Sequence, residues 1–220
     1  MVYPGCGNLK ITCDHPLQQQ LAGKISLFHK NAQVIDFGKW GRPRNLMELF
    51  NDISTIRDAV KENLGMDGII EESVAKSDRF IERNSKLIVS RKKGGKIRDC
   101  HMDLHSANIF LLENPVIIDC VEFSNDFRYG DITSDVAFMA MDLEAKNSKN
   151  LSEKFVENYL ALSGDSQLTE VLPWYLAYRA NVRAKIHALT MMHADGSQKE
   201  KEIENTGKYL GLLGKYNELL

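Results

Sequence analysis

With 220 residues, 43% hydrophobic and 26% charged, the chain has material for one domain with a real core. A formal net charge of -2 leaves no electrostatic footprint for nucleic acid, and no run reaches the roughly 18 apolar residues of a membrane span. The opening MVYPGCGNLK lacks the charged start and apolar middle of an export signal, so a cytoplasmic protein without membrane or nucleic-acid partner is expected.

Residues 1–13 form a leader with no clear periodicity. Cys6, Cys13 and His15 lie close together but follow no paired metal-ligand spacing, and Cys6, Cys13, Cys100 and Cys120 are expected as free thiols. Asp14 and Pro16 signal a helix start, followed by an apolar face at Leu17, Leu21, Ile25 and Phe28. The glycines and proline between Gly38 and Pro43 break it. A second helix is predicted from Asn45, with Glu48 completing a capping box, through the stripe Leu46, Leu49, Phe50, Ile53, Ile56, Val60 and Leu64 to Gly65. A third runs from about Asp67 to Arg91, ended by Gly94 and Gly95.

At Lys96 the character changes. Residues Ile97 to Cys100 read as a short strand, and the apolar runs Asn108–Leu112 and Val116–Asp119 around Glu113-Asn114-Pro115 read as a β-hairpin. Helix returns after residue 130, with Ile132, Val136, Met139 and Leu143 on one face, then over roughly 150–163, 166–193 and 197–217. Met139, Met141, Met191 and Met192 read as core filler. The class is mainly α with a small β-hairpin (α+β).

Residues 101–108, His-Met-Asp-Leu-His-Ser-Ala-Asn, fit the H-x-D-x-x-x-x-N catalytic loop of kinases. Phosphoryl transfer needs a carboxylate beside the acceptor hydroxyl, oxygen ligands for magnesium and neutralised phosphate charge. Asp103 supplies the carboxylate, and Asn108 an amide oxygen for the metal. His101 belongs to the same catalytic loop, where holding backbone suits it better than moving protons. Asp119, at the far end of the hairpin, is the expected second metal ligand. Asp36-Phe37-Gly38 spells the kinase metal-binding triplet but precedes the loop instead of following it, and reads as an ordinary turn.

These segments, together with Phe127-Arg128, Asp131, Ser134–Glu144 and Tyr178–Lys185, resemble one branch of the aminoglycoside phosphotransferase family, often fused to a P-loop ATP-binding domain. The resemblance covers most of residues 17–193. It implies the C-terminal lobe of a protein-kinase-like fold over residues 1–220, a small-molecule hydroxyl substrate, ATP and Mg2+, with Asp103 as base and Asn108 and Asp119 binding cofactor and metal. It also implies that Asp135 braces the catalytic loop by accepting backbone N–H bonds. Met102 stands where the family usually has Gly. No strand-rich nucleotide lobe with its lysine precedes the helices, and no G-x-x-x-x-G-K-[ST] occurs. The chain alone is therefore expected to be weak or inactive, with an N-terminal lobe acting in trans or with self-association through bared apolar surface around residues 1–28 and the hairpin.

Around this core, His105 either contacts metal or phosphate or is satisfied by nearby backbone. Glu122 either assists the metal or bonds the loop backbone. Asp131 and Asp135, four apart, suit structural support at a helix start. Arg179 and Arg183 are expected to pair with the acidic 119–135 segment. Two other classes compete: a non-catalytic kinase-like binding module, and a metal-dependent hydrolase built from His101, Asp103, His105 and Asp119.

Overall fold

The computed structural model describes residues 15–220, so the leader, with Cys6 and Cys13, lies outside the described residues. Helix α1 (His15–Asn31) buries Leu21, Ala22 and Ile25. Helix α2 (Pro43–Asn51) starts before the predicted capping box: its N-cap is Arg42, extended at φ -90° and ψ 143°, with no side-chain cap. Pro43 explains this, because proline is pre-set for the first helical position and drives the preceding residue out of the helical region. Glu48 instead accepts from Arg44 at 2.9 Å.

The predicted second helix is interrupted by a 3-10 turn over Asp52–Ile56 before α3 (Arg57–Leu64). The tighter winding keeps Ile53 and Ile56, three apart, on the buried side. Gly65 then stops α3 at φ 66°, as its position predicted. The third predicted helix is two, α4 (Asp67–Arg83) and α5 (Ser85–Lys93). Asn84 breaks it: both its backbone N–H and its side-chain amide donate to the Phe80 carbonyl, a local bond that competes with continued helix.

Strand β1 (Ile97–Asp99) delivers the chain to the loop. It pairs antiparallel with a strand the sequence reading lacked, and on its other side Val34 forms a bridge to Arg98. The predicted hairpin is present but shorter than expected, as β2 (Ile109–Phe110) and β3 (Val116–Ile117) with Ile109 opposite Ile117; Asp119 lies beyond β3 at a left-handed φ of 63°, which a continuing strand does not allow. Lys24 Nζ donates to the Pro115 carbonyl at 2.5 Å, tying the hairpin to α1. After it come α6 (Asn125–Arg128), β4 (Tyr129–Asp131), which is the partner of β1, and α7 (Ile132–Ala145). The rest is α8 (Lys149–Ser163), α9 (Leu168–His193) and α10 (Gly196–Asn217).

Helix α7 is the centre. Every residue from Ile132 to Leu143 is buried. One side, with Val136, Met139 and Leu143, packs with Leu21, Ile25, Phe155 and Tyr159; the other, with Phe138 and Met141, joins the larger core of α2–α5, α9 and α10. A helix apolar nearly all round can only sit inside. Met139, Met141 and Met191 fill core as expected, whereas Met192 is 51% exposed at the outer side of α9. The fold is mainly helical with small antiparallel β elements, as the sequence implied. No helix among the described residues is long and apolar enough to cross a membrane.

Candidate active site

The catalytic loop is suspended from α7. Asp135 Oδ2 accepts the His101 N–H at 2.9 Å and Oδ1 accepts the Met102 N–H at 2.7 Å, the bracing that the resemblance implied. Seven residues on, and so on the same face two turns away, Asp142 Oδ2 accepts the Ser106 N–H at 2.9 Å. Two buried carboxylates of one helix thus fix both ends of the bend that presents Asp103. Burial opposes charge at Asp135, but hydrogen bonding from His29 and the nearby Arg179 and His101 hold its pKa below the ordinary value. Asp142 is also lowered: burial is outweighed by Ser106 and Lys146.

Within the bend, the Asp103 side chain remains 36% accessible. Asn108 Nδ2 donates to the Asp103 carbonyl at 3.0 Å and to its Oδ2 at 3.1 Å. His105 Nε2 lies 3.5 Å from the same Oδ2. Partial burial raises the Asp103 pKa, but the His105 and Asn108 contacts prevail and lower it. His105 is therefore placed by a carboxylate and by the Phe138 ring, 5.5 Å away, instead of by backbone.

His101 joins the loop to the hairpin. The Asp103 N–H donates to Nδ1 at 3.3 Å, which leaves Nε2–H to donate to the Ile118 carbonyl at 2.9 Å. The Val121 N–H returns to the His101 carbonyl at 3.0 Å. With both ring nitrogens engaged, His101 ties the loop to the hairpin and has no nitrogen left for a metal. Between Ile118 and Val121 sits Asp119, exposed and at φ 63°. The Ile118 N–H donates to the Asn108 carbonyl at 3.0 Å, so the hairpin closes beside Asn108.

Asn108 and Asp119 are the expected cation ligands, and their segments are joined by the Ile118–Asn108 backbone bond. The Asn108 amide nitrogen is taken by Asp103, which turns its oxygen into the unused acceptor. With the Asp119 carboxylate, this oxygen-only donor set suits Mg2+. A cleft of about 700 Å³ lies between α1 and the hairpin, lined by Lys24, Phe28, His101, Ile118, Asp119 and Arg128 among others. Asp103 is not among its lining residues, so the cleft adjoins the site at Asp119.

Several flanking assignments change. Arg179 bonds carbonyls instead of carboxylates: Nε donates to Ser134 at 3.2 Å and Nη1 to Met102 at 3.0 Å, with the guanidinium 4.7 Å over Phe138. Arg183 does not reach the acidic segment at all, facing His187 Nε2 at 3.2 Å and the Tyr209 ring. The arginine that does pair there is Arg91, which the sequence reading missed. It donates to both oxygens of Asp131 at 2.7 Å and to Asp165 at 3.1 and 3.2 Å. Asp131 also caps α7 by accepting the Thr133 N–H at 2.8 Å. Glu122 accepts from the Cys120 thiol at 3.8 Å rather than from loop backbone. The Asp36-Phe37-Gly38 triplet is a turn: Lys92 donates to the carbonyls of Phe37, Gly38 and Trp40, well away in sequence and fold role from the catalytic loop. Asp142 was also missed, and its seven-residue spacing from Asp135 was the available signal.

A loop braced from a central helix and closed by a short hairpin gives a lobe of the protein-kinase-like fold. The chain belongs to the phosphotransferase enzyme family, whose model matches residues 60–194, more than half its length. It is 41% identical over 113 residues to uncharacterised proteins of Mycobacterium tuberculosis and Mycobacterium bovis, an alignment covering 51% of this chain and 23% of each relative. The chain thus spans about a quarter of the length of these curated relatives. Among solved structures, an ethanolamine kinase of Plasmodium vivax superposes with a TM-score of 0.55 at 14% identity, covering 91% of this chain and 58% of that one. At that identity the likeness speaks for the fold alone.

Proposed function

We propose that the chain is the catalytic and acceptor-binding lobe of an ATP- and magnesium-dependent kinase that phosphorylates a hydroxyl group of a small molecule. The observation that carries this reading is the double clamp of Asp135 on the His101 and Met102 amides, which presents Asp103 at an accessible bend with Asn108 locked against it. Asp103 accepts the acceptor's hydroxyl proton. Asn108 and Asp119 hold the cation, which when bound would neutralise charge on the transferring phosphoryl group. His101 keeps the two halves in register through Ile118. In this reading the lobe that covers the nucleotide, with its lysine, comes from sequence outside these 220 residues or from a partner in trans.

The test is phosphoryl transfer from radiolabelled ATP to a panel of small alcohols, with amino alcohols first because of the fold likeness to an ethanolamine kinase. Asp103→Asn should lower the rate about 10²- to 10⁴-fold, the usual range for a lost general base, while leaving Mn2+ binding intact. Asp119→Asn should weaken Mn2+ binding as well. A transfer rate indifferent to Asp103→Asn would overturn the assignment. Absence of transfer under every condition that supplies a nucleotide lobe would favour the non-catalytic binding module. The hydrolase reading loses ground because His101 has no free nitrogen.

A further inference from the structure

Asp135 has a third donor besides the two loop amides. His29, near the end of α1 and only 2% exposed, places Nε2 at 3.1 Å from Oδ2, the same oxygen that accepts from His101. Its other nitrogen, Nδ1, lies 2.7 Å from the hydroxyl of Tyr159, a fully buried residue of α8. Burial keeps Tyr159 a neutral phenol by raising its pKa, and Asp135 is held ionised. The consistent assignment has the tyrosine O–H donating to Nδ1 and Nε2–H donating to the carboxylate. The chain Tyr159–His29–Asp135 therefore joins α8 and α1 to the catalytic loop. Cys100 lies in the same buried group, but its thiol donates to the Gly130 carbonyl at 3.4 Å, while three donors already occupy Asp135.

The torsion that sets an aspartate's carboxylate plane is broad and does not select one orientation by itself. Two loop amides alone would let that plane turn with the loop they hold. A third donor fixed in the core, from an imidazole itself oriented by a phenol, removes that freedom. We propose that His29 and Tyr159 are positioning residues for phosphoryl transfer, acting through Asp135 on the backbone of the catalytic loop. The proposal rests on the functional reading above. His29 lies on α1, outside the matched family segment of residues 60–194.

The experiment combines amide hydrogen exchange with kinetics on the purified protein. Variants are His29→Ala, His29→Gln, whose amide nitrogen can replace Nε2 as donor, and Tyr159→Phe, which removes only the hydroxyl. His29→Ala should speed exchange at the His101 and Met102 amides by about tenfold or more, since each loses part of its acceptor's orientation, with α9 and α10 amides unchanged. His29→Gln should restore most of the protection, and Tyr159→Phe should fall between. In the transfer assay kcat should drop about 10- to 100-fold, as for lost outer partners of a functional group, with KM for nucleotide unchanged. Should His29→Ala not fold, Tyr159→Phe carries both measurements. Exchange at residues 101 and 102 that stays at the wild-type rate, or that rises only in step with the whole molecule, would overturn the proposal. The Asp103→Asn control separates the two readings: if it leaves transfer intact, the kinase assignment falls, while the exchange measurement still decides the clamp.

Discussion

Met102 and Gly130 illustrate how one residue's conformation constrains another far along the chain. Met102 adopts φ 62°, a left-handed conformation that costs a side-chain-bearing residue about 1 kcal/mol. The resembling family's glycine would escape that cost. Here the methionine is retained against Gly130, where an added Cβ would fall 1.9 Å from the Met102 terminal methyl, while its sulfur faces Arg179. The methyl is the far end of a flexible side chain and can swing aside, so Gly130→Ala should cost less than about 1 kcal/mol. In a Met102→Gly background the two changes should combine almost additively, readable by urea denaturation of the double-mutant cycle. Asp103 yields a second expectation at this scale. Because its carboxyl is held below the ordinary value, the base form persists into acid. Any acid limb that Asp103 gives to kcat/KM should lie below the usual aspartate value of about 3.9, and a limb near neutrality that vanishes with Asp103→Asn would contradict this.

At the scale of elements, α7 and its N-cap work as a scaffold because their carboxylates face α5 and the catalytic loop. Asp131 holds α5 through Arg91, while Asp135 and Asp142 hold the loop. The Arg91 guanidinium is 1% exposed and stands between two buried carboxylates, Asp131 and Asp165. Burial disfavours its charge, yet the pair raises its pKa above the ordinary arginine value. Taking away one partner of such a cluster strands buried charge. Arg91→Met should lower stability by about 3 to 5 kcal/mol, measured as a shift of the denaturation midpoint. Arg91→Lys should rescue little, because an ammonium cannot reproduce the bidentate fork.

For the whole molecule, two properties follow from where charge and apolar surface end up. Asp135 and Asp142 have folded values depressed below their unfolded ones. Their contribution is fully present above the unfolded value of about 3.9 and is lost as pH falls through the folded values. Tm should thus be insensitive to these groups above about pH 5 and should fall steeply below about pH 4, with Asp142→Asn flattening the acid slope. The second property is the apolar face on α1 and the hairpin, where Leu27 and Leu112 are 59% and 58% exposed and Phe28, Phe110, Val116 and Ile118 are also open. Exposed apolar surface, here with Phe28, Val116 and Ile118 lining one cleft, often marks an interface. Sedimentation should show self-association that Leu112→Glu with Phe110→Glu weakens; a monomer across the concentration range would exclude association through this face.

The local grammar of the sequence determined the loop and the hairpin that follows it. The loop at 101–108 and a hairpin after it were legible because loop chemistry and strand alternation act within a few residues, although the strand expected to reach Asp119 stops at Ile117. Gly65 and Gly95 marked helix ends for the same reason, since both take a left-handed φ that side chains resist. Pro43 was legible too, but its force on the helix start outweighed the capping box at Asn45. What only the tertiary structure decided is which buried charge meets which partner. Arg91 reaches Asp131 and Asp165, Asp142 reaches Ser106, and His29 reaches Asp135 across 40, 74, 36 and 106 residues of sequence. Periodicity tells which face of a helix is turned inward, but helix packing determines what that face meets. For Arg183 the same inward reading led to the wrong partner, because α10 and its Tyr209 stood there first.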